Sequence, residues 1–293
     1  MNDYRRLLVH VGDSERTSRV LACAATLAAQ HGAALHAVHA VEPPHLGAHL
    51  SAETAMLATR IRQDDERKRH RLARDRVQAA AHAHGMQIDF ESPGGDPVEA
   101  VVSRSWAADM LIVSQPADDD PGSPTQRFVS HLLVAGGCPV LLAPEAESVL
   151  SCGRRVLVAW SARRESTRAM RDALPLLQRA AAVEVLSLRS ANAVADAGAE
   201  KPLDAVAAYL KAHGVAAVCT VKSKRDISFG ERMLTPSVVD ASVAELLLSH
   251  AADMDADLIV MGGYGHSRAY EMVLGGVTRT MLASMTVPVL MSH

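Results

Sequence analysis

Residues 5–11 read RRLLVHV and residues 154–160 read RRVLVAW, two near copies of one pattern in which a basic pair leads into a short, largely apolar run. Working outward, a second pair follows in each half, DMLIVS at 109–114 and DLIVMG at 257–262. A third pair closes them, CPVLLAP at 138–144 and VPVLMSH at 287–293, with Pro139 and Pro288 in equivalent places. The first and third pairs lie 149 residues apart and the second 148, so one small gap separates otherwise collinear halves. Three matched blocks in the same order establish an internal repeat, and the repeat decides the architecture.

Within each half, short Val/Leu/Ile runs alternate with amphipathic stretches. The runs predict strands at 5–11, 33–41, 86–91, 109–114 and 138–143, and again at 154–160, 182–188, 215–221, 257–261 and 287–291. Continuous apolar runs, without polar alternation, mark strands buried on both faces. Strands separated by helices imply βαβ units and a parallel sheet. The fold expected is α/β: two tandem Rossmann-like, doubly wound, five-stranded parallel-sheet domains. They span 1–146 and 153–293, with 144–153 (PEAESVLSCG) as the linker. The stretch 51–84 contains RQDDERKRHRLARDR and reads as a solvated helix laced by salt bridges one turn apart; the alternative is a partner-binding face. Residues 115–124 (QPADDDPGSP) form a loop through which no helix can run.

Bulk properties narrow the function. The 293 residues are 48% hydrophobic and 22% charged, with 30 basic and 33 acidic side chains. That is the balance of a soluble globular protein, without the basic excess of a nucleic-acid binder. No apolar stretch is long enough to span a bilayer, and Met1 to Val11 lacks a secretory h-region, so a cytoplasmic location is expected, away from membrane and nucleic acid. Cys23, Cys138, Cys152 and Cys219 form no CxxC and read as reduced thiols. Only Cys152, in the linker, is expected to be exposed.

The chemistry concentrates in the second half. Its fourth run ends at Met261 and is followed by Gly262-Gly263-Tyr264-Gly265, nine further residues, and Gly275-Gly276-Val277-Thr278 opening a helix at 276–285. Glycines leave no Cβ between backbone and ligand, and a helix start offers unpaired N–H groups and the positive end of its dipole. The loop can wrap a phosphate chain, although it is not a Walker loop. The bland alternative is a tight turn with close helix packing. In an open parallel sheet, ligands bind beyond the C-terminal strand ends, where this loop lies.

The stretch VMGGYGHSRAYEMVLGGVTRTML, placed before a VPVL strand, resembles the universal stress protein family, and the resemblance covers nearly the whole chain as two tandem copies. It implies a Rossmann-like domain that binds ATP or a related nucleotide and pairs with its neighbour through the fifth strands. Carried over by position, it implies phosphate and ribose contacts from Met261, Gly262, Tyr264, Gly265, Gly275, Gly276, Val277 and Thr278. The adenine would lie near Ala159, Trp160 and Ser161, with Leu188 as the other wall. Trp160 could stack on a base or cap the core; His266 could contact a phosphate or point to solvent. Two departures stand out. No Asp follows the first strand of this copy, and Gly276 replaces the usual Ser or Thr, removing a hydrogen bond worth about 0.5–1.5 kcal/mol net.

The first half departs further. After Val113 it reads Ser114-Gln115-Pro116-Ala117-Asp118-Asp119-Asp120, with no glycine pair and three acids that would repel phosphate. It keeps Asp13 as a base-side acid after its first strand. It is therefore expected not to bind ATP but to pair with the second copy as a pseudo-dimer, and a homodimer of such chains is a further assembly. Among 14 histidines, His36 and His39 fall on opposite strand faces, and no zinc spacing occurs. Nor is there a G-x-S-x-G elbow or a carboxylate pair to hold magnesium at the loop. Three readings result. The first is a nucleotide-responsive stress protein binding ATP, ADP or AMP, with or without Mg, and signalling to an unknown protein partner. The second is a nucleotide-free scaffold of the same fold. The third, an enzyme, is disfavoured beyond slow ATP hydrolysis.

Overall fold

The computed structural model describes residues 3–41, 52–117, 119–120, 122–145, 152–189, 201–223, 236–263 and 275–293. The first half contains β1 (Arg6–Val11), α1 (Thr17–His31), β2 (Ala34–His39), α2 (Ala52–Ala83), β3 (Ile88–Glu91), α3 (Pro97–Ser105), β4 (Met110–Ser114), α4 (Gln126–Ala135) and β5 (Val140–Ala143). The second contains β6 (Arg155–Trp160), α5 (Arg164–Asp172), α6 (Leu174–Leu177), β7 (Ala182–Arg189), α7 (Lys201–Ala212), β8 (Ala217–Ser223), α8 (Pro236–Asp253), β9 (Leu258–Gly262), α9 (Gly276–Ser284) and β10 (Val289–Ser292). Each apolar run of the sequence became a strand.

Local chemistry sets several boundaries. Gly32, at φ +62°, ends α1 with its N–H turned back to Ala28 and Ala29. Asp96 caps α3, its Oδ1 accepting from the Glu99 N–H at 2.9 Å, and Pro97 follows in the first turn. Along α2, Arg62–Glu66 and Arg69–Asp65 are the one-turn ion pairs expected of a solvated helix.

One ten-stranded sheet runs through the molecule in the order β3-β2-β1-β4-β5-β10-β9-β6-β7-β8. Within each half all pairs are parallel. The halves meet antiparallel at β5 and β10, with Leu290 opposite Leu141. This fifth-strand pairing covers the edge each half would otherwise expose. The fold is thus two tandem Rossmann-like α/β copies joined into one sheet.

Two apolar layers cover it. One packs α1, α2, α5, α6 and α7 on one face, and the other packs α3, α4, α8 and α9 on the opposite face. Both layers draw buried residues from both halves. Side chains also cross the seam: Tyr4 Oη donates to the Asp172 carbonyl at 2.7 Å, and Gln115 Nε2 to the Leu282 carbonyl at 2.8 Å.

Cys152 corrects an expectation. It is buried, at 7% exposure, and packs in the same layer as Cys23, because the chain dips under α1 and α6 before entering β6. Burial alone pushes the Cys23 thiol up to about 12. His36 and His39 do fall on opposite faces: His36 meets Glu91, and His39 meets Asp13.

Candidate functional site

In the second half the strand order reverses between β6 and β9, which opens a crevice beyond their C-terminal ends. Gly262 ends β9 there. A Cβ on it would fall 2.6 Å from the Ser166 nitrogen and 2.7 Å from the Glu165 carbonyl carbon, so only glycine lets β9 pass beneath the first turn of α5. Gly262→Ala should accordingly cost about 1–3 kcal/mol in chemical denaturation, because the obstacle is backbone rather than a movable side-chain end. The Gly263 N–H donates to the Ser292 carbonyl at 2.8 Å, extending the β9–β10 pairing by one bond.

α9 begins behind this point. Its N-cap, Gly275, has φ −57° and ψ 146°, and no side chain caps the helix. The N–H groups of its first turn therefore lack the oxygen that a Ser, Thr, Asp or Asn would bring. In the first half the equivalent helix is closed: Thr125 Oγ1 accepts from the Phe128 N–H at 3.1 Å.

The residues singled out in the sequence are distributed as follows. Ala159, Leu188, Met261 and Val277 all pack against the α8–α9 layer. Thr278 is buried at 4% exposure, and Gly276 is half-buried. Trp160 packs against the opposite, α5–α7 layer, so its ring serves the core on the face away from Ala159 and Leu188. Ser161 is exposed, and Ala162 after it holds a left-handed φ of 53°. Tyr264, Gly265 and His266 lie outside the described residues.

In the first half, the loop after β4 is tied to the turn after β1 beside the matching crevice. The Gly122 carbonyl accepts from the Asp13 and Ser14 N–H groups at 3.0 and 3.4 Å, drawing the loop after β4 onto the turn after β1. Asp120 accepts from Ser14 Oγ at 2.6 Å and pairs with Arg16 at 3.2 Å. Asp13, the acid expected to face a base, instead accepts from His39 Nε2 at 2.9 Å and Arg69 Nη1 at 3.3 Å. Burial pushes its carboxyl up, but the His39 hydrogen bond and charge, joined by Arg69, outweigh burial and hold it below the ordinary carboxylate range. Arg76 closes the turn from above, donating to the Asp13 and Ser14 carbonyls at 2.8 and 3.0 Å.

The model of the universal stress protein family matches the chain twice, over residues 3–131 and 153–293. The chain belongs to the universal stress protein family. Among solved structures it is similar to a universal stress protein from Archaeoglobus fulgidus DSM 4304, at 17% identity over 98% of this chain and 95% of that one, with a TM-score of 0.70. It is also similar to a functionally unknown protein from Pseudomonas aeruginosa PAO1, at 14% identity over 99% and 92% of the two chains, with a TM-score of 0.61. A universal stress protein in complex with cAMP aligns to 50% of this chain and 100% of its own, at 20% identity and a TM-score of 0.33. No match is found among the curated proteins.

Three residues of this universal stress protein carry roles that its sequence did not reveal. Arg69 and Arg76 belong to the helix read as solvated, yet they reach back across 56 and 63 residues to the β1–α1 turn. Glu165, its side chain 14% exposed, sets its carbonyl carbon and Cβ against Gly262. Its place in the first turn after the first strand of the repeat was the available signal. Among the described residues, no group of three His, Cys, Asp or Glu side chains could hold a metal ion, and no helix is long and apolar enough to cross a membrane.

Proposed function

We propose that this protein is a cytoplasmic, nucleotide-responsive stress factor that acts by binding rather than catalysis. An adenine nucleotide, ATP, ADP or AMP with or without Mg, would dock between β6 and β9 in the second half. The uncapped first turn of α9 behind Gly275 carries the reading, since N–H groups at a helix start favour phosphate. Backbone N–H groups of Gly276, Val277 and Thr278 would hold phosphate, and Ala159 and Leu188 would supply apolar wall for the base. Binding would then alter the surface offered to a protein partner or a second copy of the chain.

The test is thermal unfolding with and without millimolar Mg-ATP, ADP and AMP. A ligand that binds only the folded state adds about 2.7 kcal/mol at a hundred times its dissociation constant. Gly275→Val sharpens the reading. The backbone at 275 suits any residue, and among the described residues nothing lies within 4 Å of an added Cβ. The variant should fold like its parent and lose the nucleotide response. An equal response in the variant would remove the loop from the site. No response in the parent would favour the scaffold reading, for which the tied loop of the first half already speaks.

A further inference from the structure

Three polar side chains are strung together on the α8 face of the sheet, at its β8 edge. Lys222 Nζ lies 2.8 Å from His250 Nδ1, and His250 Nε2 lies 2.9 Å from Glu184 Oε1. β7 and β8 pair in parallel with Glu184 opposite Val218, so Glu184, Thr220 and Lys222 share the face that meets α8, which carries His250. The imidazole and the carboxylate are little exposed, at 12% and 19%. Lys222 is half-buried on an edge strand, where a small solute can reach its amine.

Donor capacity places the hydrogens. An ammonium only donates, so Lys222 donates to Nδ1, and the hydrogen of the neutral imidazole sits on Nε2, directed at Glu184. Burial pushes the Glu184 carboxyl up, but the Thr220 and His250 hydrogen bonds and the His250 and Lys222 charges outweigh it. They hold the group below the ordinary carboxylate range, ionised at pH 7 and able to stabilise an imidazolium. Nucleophile, base and orienting acid thus stand in the order that activates side-chain nucleophiles, with an amine in place of a hydroxyl. Residue choice agrees. Lysine supplies only five of the chain's 30 basic residues, and arginine, the usual choice in this chain, cannot be deprotonated.

We propose that Lys222 is a reactive amine, acylated on Nζ by an acyl phosphate, with His250 as the base and Glu184 as its positioning residue. Nζ passes one proton to His250 Nδ1, and the freed electron pair attacks the acyl carbon. The N–C bond forms, the bond from that carbon to the phosphate oxygen breaks, and phosphate leaves with its electron pair. The nitrogen then sheds a second proton, leaving an amide N–H. Phosphate takes up one of the two released protons and solvent the other, and nothing is oxidised or reduced. The relay serves the nucleophile alone, so the donor needs a leaving group that departs unaided, as phosphate does. The site lies two strands from the β6–β9 crevice and does not rest on the nucleotide reading.

Treating the full chain with acetyl phosphate near neutral pH, and following each lysine by peptide mass mapping, tests this. Lys68 and Lys211, both exposed, are internal references. Lys222 should be acetylated about tenfold or more faster than either, a margin that a positioned base supplies. His250→Gln should bring Lys222 down to the reference rate while Lys68 and Lys211 keep theirs. Lys222→Arg keeps the charge beside His250 and should remove the fast reaction altogether. The parent's Lys222 should also show a larger solvent deuterium effect than the references, lost in His250→Gln and reduced in Glu184→Gln. If Lys222 reacts no faster than the references, the three side chains are a plain ion pair bridged by imidazole and the proposal fails. It fails equally if His250→Gln leaves the fast rate and its isotope effect unchanged.

Discussion

Replacing Leu290 by Asp is expected to cost about 5 kcal/mol and to destabilise both halves of the molecule together. Leu290 is fully buried, at 0% exposure, in the strand where the halves join, with Leu141 on one side and Val260 on the other. Truncating such a leucine already costs about 2–5 kcal/mol, and an unpaired carboxylate in its place adds a desolvation penalty. The effect should cross the seam because the layer holding Leu290 also contains Leu7 and Val9 of β1. Hydrogen exchange at β1 and β6 amides would read this, with both strands losing protection in parallel. Val218→Asp is the control: it introduces the same chemistry on edge strand β8, where the parent side chain is 66% exposed, and should change stability by less than about 0.5 kcal/mol. Two separate unfolding transitions, with β1 unmoved by the Leu290 change, would mean that the copies are independent beads.

That coupling follows from features legible in the sequence. Continuous runs such as LLVHV and VLVAW can be buried only on both faces, and the collinear repeat fixes which strands of one copy answer which of the other. What could not be read is where long side chains go once the sheet brings distant turns together. Arg69 and Arg76 look like two more charges on a charged helix, and their task appears only when α2 lies over the β1–α1 turn. Gln115 stands where the second copy has its glycine pair, and it looked like simple loss of a phosphate loop. In the fold it is buried and binds α9 of the other half, so the departure serves the seam. Cys152 was misplaced for a related reason: linker composition signals a chain reversal, not whether the chain reverses over an apolar layer. His10 is a polar residue inside an apolar strand run, and such a residue calls for an explanation wherever it occurs.

His10 should also give the protein a specific acid sensitivity. Its folded value near 4 lies below the ordinary 6.5 or so of an exposed imidazole, because burial opposes the charged form more strongly than the Ala40 carbonyl favours it. The nearby His39 charge pushes the same way, and Asp13 opposes. The folded value is depressed, so the stability is fully present above about pH 6.5. It is lost as pH falls toward 4, where the unfolded chain binds a proton that the folded chain refuses. The loss is about 2 kcal/mol by pH 5 and about 3 kcal/mol by pH 4. His31 and His70 are also lowered by burial and add to the slope in the same window. The carboxylates held low, Asp13 and Glu91 among them, act mainly below pH 4.5, with Glu91 drawn down to about 2 chiefly by the Arg104 hydrogen bond. His10→Phe keeps a flat ring against Phe128 and removes the titration. It leaves the Ala40 carbonyl without a donor, but that cost does not depend on pH. Urea denaturation at pH 7 and pH 5 should therefore show the parent losing about 2 kcal/mol more than the variant over the interval. Parallel losses in the two proteins would mean that His10 is not held neutral by the fold.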